Sequence, residues 1–232
     1  MENMNLEILK EPLGFLRVIQ LIMSIFAFAT TAGFSTYTSF KIDCSAGKIS
    51  EVIFNFGYPF KLNQIPIKVV QCDDKTVVAD LPWDFSSSAE FFVAVGVLTF
   101  LLTLLALGIY ICSISFYTSN QMVPVCDLAS SVLLTILWLS AASAWAHEVS
   151  NVKYYATPDN FFDQITECSK QHCVKTYTGN YASLNVSLIF GFGNFLLWAA
   201  SLWFVFKETK FHQETNQQEH QQQHQQPPLY SS

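Results

Sequence analysis

FFVAVGVLTFLLTLLALGIYICSISFY, residues 91–117, runs without one charged side chain. A helix needs about 20 mostly apolar residues to cross about 30 Å of hydrocarbon, and buried helices of soluble domains are usually shorter, so this segment reads as a membrane span. Three further stretches, 16–40, 125–146 and 184–206, meet the same length. Successive crossings put the first gap (41–90) and the third gap (147–183) on one face of the membrane. Both termini and the second gap lie on the other. The expected fold is an all-α membrane protein, a four-helix transmembrane bundle over residues 1–210 with small, disulfide-stapled, β-rich loops. A tail follows at 211–232.

The composition agrees. Of 232 residues 51% are hydrophobic and only 13% charged, against roughly 25% charged in an ordinary soluble domain. A net charge of −6 and the lack of a Lys/Arg-rich run argue against nucleic acid as a partner. No large catalytic domain fits in the remainder. The apolar core from Val18 to Gly33 has a rival reading as a secretory signal cut at Ala32. Its flank, with Glu2, Glu7 and Glu11 against Lys10 and Arg17, is a poor positive leader, and an uncleaved span to Phe40 is preferred.

Within the first gap Val52, Phe54 and Phe56 alternate with polar or opposite-facing positions, and Ile65, Ile67 and Val69 repeat the beat, which predicts short antiparallel strands. Pro59 and Pro66 interrupt the runs and favour a small, edge-rich sheet. The serines 86–88 before Glu90 read as a helix cap at the water boundary. The second gap, about 118–124, forces spans two and three into an antiparallel hairpin. The Gln/His-rich tail has too few apolar residues to fold alone.

Cys44, Cys72, Cys168 and Cys173 all lie in the two long gaps. Disulfides persist in lumenal or extracellular compartments, so that face is expected to be lumenal and the termini cytosolic. Four cysteines allow three pairings. Cys44–Cys72 with Cys168–Cys173 is preferred, because each closes within one gap; free thiols and a four-cysteine zinc site are the alternatives. Charge counting points the other way. Eight of the twelve Lys/Arg residues (Lys41, Lys48, Lys61, Lys68, Lys75, Lys153, Lys170, Lys175) fall in the long gaps, leaving Lys10, Arg17, Lys207 and Lys210 opposite. The positive-inside rule weakens for long gaps, and the cysteines take precedence. The sequon Asn185-Val186-Ser187 sits at the start of span four and is expected to be unoccupied.

Ala142 and Ala146 belong to a run of small residues in span three, and Gly191 and Gly193 offer the same in span four; these are expected helix-packing positions, within one bundle or between copies. Trp138, Trp145, Trp198 and Trp203 read as an aromatic belt or lipid-facing anchors. Arg17 and Asp127 lie near span ends, within reach of the interface, which leaves almost no ionisable group at mid-membrane, as a transporter would need. Thr99, Thr103, Ser113, Ser130, Ser131 and Thr135 supply hydroxyls that a pore would need copies to assemble. Cys112 and Cys126 are candidates for S-palmitoylation or buried thiols. No nucleophile elbow, phosphate loop, zinc helix or dinucleotide fingerprint occurs, and His147-Glu148, His172, His220 and His224 read as isolated; no enzyme activity, cofactor or metal is expected. In the tail Pro227, Pro228 and Tyr230 fit a P-P-x-Y ligand for a WW domain.

EPLGF at 11–15, SIFAFAT at 24–30, YPF at 58–60, SSSAEFF at 86–92, WLSAASAWA at 138–146, SLNVSLIFGF at 183–192 and LWFVFKET at 202–209 together resemble the synaptophysin family of four-span vesicle proteins, within the wider MARVEL-domain group. The resemblance implies cytosolic termini, disulfides in both lumenal loops, cholesterol-rich membrane, homo-oligomers and residence in transport or synaptic vesicles. For neuronal members it implies pairing with synaptobrevin in exocytosis and vesicle recycling. The short Gln/His tail, His147 after AWA and the missing sequon in the first loop depart from the neuronal pattern, and the tail and SLNVS look more like the broadly expressed branch of that family. The expected function is organisation of a vesicle membrane and its fusion or cargo proteins; the alternative is a low-conductance oligomeric channel.

Overall fold

The computed structural model of the chain describes residues 12–44, 47–73, 75–112 and 122–208. Four helices, α1 Pro12–Ala32, α2 Ser86–Cys112, α3 Met122–Tyr155 and α4 Ala182–Glu208, are each long and apolar enough to cross a membrane. They pack as a ring in which α1 lies against α2 and α4, and α3 against α4 and α2.

Three of the expected span limits shift. The first span does not continue to Phe40: α1 stops at Ala32, where the Gly33 and Phe34 N–H groups bond back to Ala29 and Thr31 carbonyls. Strand β1, Ser35–Cys44, takes over, since Thr36, Tyr37 and Thr38 are β-branched or aromatic and favour extended backbone. The second span begins five residues early, at Ser86. Its cap is not one of the serines, because the Asp84 carboxylate accepts the Ser86 backbone N–H at 2.9 Å, and that bond holds the Asp84 carboxyl below its ordinary range. The third span runs nine residues past Ala146. At 34 residues α3 is about 51 Å long, well beyond the hydrocarbon thickness, so its last turns stand clear of the membrane as a pedestal for the loops.

On that pedestal sits a three-stranded antiparallel sheet of order β2-β1-β5, with β2 Lys48–Gly57 and β5 His172–Tyr177. β1 pairs with β2 from Ser35↔Gly57 to Cys44↔Lys48 and with β5 through Ile42↔Cys173 and Asp43↔His172. The third gap thus completes a sheet that the first gap begins. A second hairpin joins β3 Ile67–Val70 to β4 Thr76–Ala79. The alternation in the sequence sets the inner face: Phe40, Ile42, Val52, Phe54 and Phe56 are buried, and Phe40 and Phe54 meet the edge of Phe161. Val149 and Val152, on the pedestal, join the same core. Phe60 holds φ at 70°, uncommon without glycine, and its wholly buried ring lies between Phe34 and Trp145.

The tryptophans do not form a belt. Trp138, Trp145 and Trp198 are 0–2% exposed inside the bundle, and only Trp203 of the four faces outward, at 58%. An indole N–H needs an acceptor once it leaves water, and two of them find one: Trp138 Nε1 donates to Thr99 Oγ1 at 3.0 Å and Trp145 Nε1 to Ser187 Oγ at 3.1 Å. Those hydroxyls explain why the Trp138 and Trp145 rings turn inward.

Candidate functional site

The helix ends remote from the sheet carry the chain's one charge pair within the spans among the described residues. Arg17, in the second turn of α1, is fully buried, and its Nη2 lies 2.6 Å from Asp127 Oδ1 in the second turn of α3. Nη2 also donates to Ser131 Oγ at 3.2 Å, and Nη1 to Gln20 Oε1 at 3.0 Å. Gln20 passes the connection on, donating through Nε2 to Ser201 Oγ of α4 at 3.2 Å. Tyr110 of α2 donates its hydroxyl to Asp127 Oδ2 at 2.9 Å. The guanidinium lies over the Trp198 ring, 4.6 Å from its centroid. All four helices therefore meet in one polar cluster.

Arg17 and Asp127 lie near span ends, as the sequence places them, and the structure adds that they pair across α1 and α3. A charge within a membrane span is costly unless it is paired, and this pairing offsets part of that cost. The 110 residues between them hide the pairing from any local pattern. Next to the cluster a cavity of ≈ 240 Å³ lies between α2 and α3, walled mostly by aliphatic side chains and bordered at its polar end by Arg17, Tyr110, Asp127, Ser130 and Trp198.

The small residues divide by environment. Ala142 is fully buried, and a Cβ added to Gly191 would fall 3.4 Å from the Ala142 methyl and 2.6 Å from Phe92 Cε2, so this pair lets α3 and α4 approach within one bundle. Ala146 is half-buried, and Gly193 faces the tip of Met23 of α1. Thr99 and Thr103 are also fully buried inside the bundle, where they cannot line a pore between copies.

On the opposite face Cys44 is bonded to Cys72 and Cys168 to Cys173, which removes the zinc and free-thiol alternatives for these four. Gln71 Nε2 donates to Glu167 Oε1 at 2.7 Å, joining the neighbours of Cys72 and Cys168 and so linking the two stapled loops. Burial beside Phe34 and Phe56 raises the Tyr181 hydroxyl to about 12. The sequon is built into α4: Asn185 Oδ1 accepts Lys153 Nζ at 2.6 Å and Ser187 is buried. Cys126 is exposed. Among the described residues no three His, Cys, Asp or Glu side chains gather as a metal site. Pro227, Pro228 and Tyr230 lie outside the described residues.

A family of membrane-associating domains, MARVEL, matches residues 8–204 of the chain, all four helices and both loops. The chain belongs to that family.

Proposed function

We propose, from membership of the MARVEL family, that the protein organises the membrane of a secretory or synaptic-like transport vesicle, holding fusion or cargo proteins there and assembling with copies of itself. The observation that carries this reading is the stapled face. Two disulfides and a sheet shared by both long gaps make a rigid cap, which in this reading faces the oxidising lumen while the termini face the cytosol. Motif likeness to the synaptophysin group supports the vesicle, the self-association, the cholesterol-rich surroundings and a synaptobrevin-type partner. The described residues supply helix faces and loops for contact. A channel finds no support in the threonines, which are spent inside the bundle.

Immuno-electron microscopy of the tagged full chain tests the reading directly. Enrichment on small cytoplasmic vesicles is expected, and an even spread over the plasma membrane or endoplasmic reticulum sinks it. Orientation has its own assay: after reduction, an impermeant maleimide should reach Cys44 and Cys168 only once vesicles are opened. Labelling of Cys44 or Cys168 in sealed vesicles from the cytosolic side removes the lumenal assignment.

A further inference from the structure

We infer that the cavity between α2 and α3 is a binding slot for one acyl chain and the free hydroxyl of a neutral membrane lipid of the diacylglycerol type. Leu102, Leu105, Ala106 and Ile109 of α2 line it at i, i+3, i+4 and i+7, a single helix face. Leu105 is 62% exposed and Cys126 across the slot is exposed, so the slot lies open at the side of a helix bundle that spans a membrane. The medium on that side is lipid.

Size and direction select a chain. Leu102 to Tyr110 is about 12 Å of helix. The ≈ 240 Å³ of space holds about eight groups of water size at ~30 Å³ each, which suits a run of methylenes, whereas a rigid fused-ring sterol would have to leave much of its body outside the slot. Tyr110 and Asp127 stand near the ends of their spans, whereas Leu102 lies deeper. A lipid in that leaflet points the same way, with its polar end at the interface and its chain toward the midplane.

The polar end selects a neutral donor. Asp127 takes Arg17 on Oδ1 and Tyr110 on Oδ2, and an ionised carboxylate has about four acceptor sites. Its side chain is 12% exposed, while that of Arg17 is fully covered. The accessible group therefore accepts and its charge is already neutralised; Arg17 borders the cavity too, but its guanidinium is covered by Asp127, Ser131, Gln20 and the Trp198 ring, so a phosphate would meet a carboxylate oxygen before any cation. Ser130 flanks it, with its hydroxyl bonded to the Asp127 carbonyl. A hydroxyl donor fits that end. This inference needs only the membrane setting of the helices and is independent of vesicle residence.

The test uses the full chain in phosphatidylcholine nanodiscs with a diacylglycerol carrying a photoreactive diazirine in one chain, the adducts being mapped by mass spectrometry. Adducts are expected on α2 between Leu102 and Tyr110 and on the facing turn of α3. Unlabelled diacylglycerol should compete, and the same lipid with its hydroxyl methylated should not. Ala106→Phe, which fills the slot, should reduce the adducts to the level of bulk lipid, while Leu133→Phe on an exposed face (54%) should leave them unchanged. Equal competition by the methylated lipid or by cholesterol overturns the inference on the unaltered chain. So do adducts spread evenly over the lipid-facing helices.

Discussion

Arg17 has five N–H donors, and four helices meet around them. Removing Asp127 leaves a buried guanidinium without a counter-charge, whereas replacing both members by apolar groups of similar volume removes the desolvation cost together with the attraction. Asp127→Ala should therefore destabilise the protein by about 3–5 kcal/mol, and the double variant Arg17→Met, Asp127→Leu should recover most of that loss. Thermal unfolding in detergent, followed by tryptophan fluorescence, reads both, since Trp198 lies against the guanidinium. If Asp127→Ala melts with the parent, the pair is not a clamp. Both residues are plain in the sequence, but their pairing is not. The inward turn of Trp138 is equally hidden, because a tryptophan near hydroxyl-bearing neighbours serves an interface as well as a core until the partner helix is known.

Between elements, the close approach of α3 and α4 rests on missing side chains. An alanine methyl at position 191 would sit 2.6 Å from Phe92 Cε2, and Phe92 is itself fully buried, edge-on to Trp138 and near Trp145, so it has nowhere to go. At position 193 the methyl would meet only the terminal carbon of Met23, which can swing aside. Gly191→Ala should cost about 1–3 kcal/mol through overpacking. Gly193→Ala should be neutral or stabilising by up to about 1 kcal/mol, since alanine is the better helix former. Equal melting points for the two variants would refute the distinction. The four spans themselves were legible from hydropathy, and their limits less so. Hydropathy does not place the end of α1, because the start of β1, Ser35-Thr36-Tyr37-Thr38-Ser39, is uncharged and carries no breaker. Nor does it follow α3 past His147, although Trp145, Val149, Val152 and Ala156 recur at helical spacing and are all buried. That stripe was the available signal.

For the molecule as a whole, the loops are one body because β5 pairs with β1 from far along the chain, Ser39 with Tyr177 and Asp43 with His172, and no local pattern announces such a pairing. The disulfides restrain that body unequally. Cys44–Cys72 closes a loop of 28 residues' separation and Cys168–Cys173 one of 5. Chain entropy alone assigns them about 3.5 and about 2 kcal/mol. The first also ties the end of β1 to the β3–β4 hairpin, which the Ser50 hydroxyl, donating to the Val70 carbonyl, joins to β2 as well. Helix packing depends on the buried tryptophans and the Arg17 cluster, which neither disulfide touches. Cys44→Ser with Cys72→Ser should therefore expose the hairpin around residues 67–79 to limited proteolysis while the helical circular dichroism stays that of the parent. Cys168→Ser with Cys173→Ser should leave the hairpin protected and loosen β5, seen as faster hydrogen exchange over residues 172–177. Loss of helicity in either pair would mean that the cap holds the bundle together, contrary to this division of labour; equal cleavage of the hairpin in both would mean that the staples act as one.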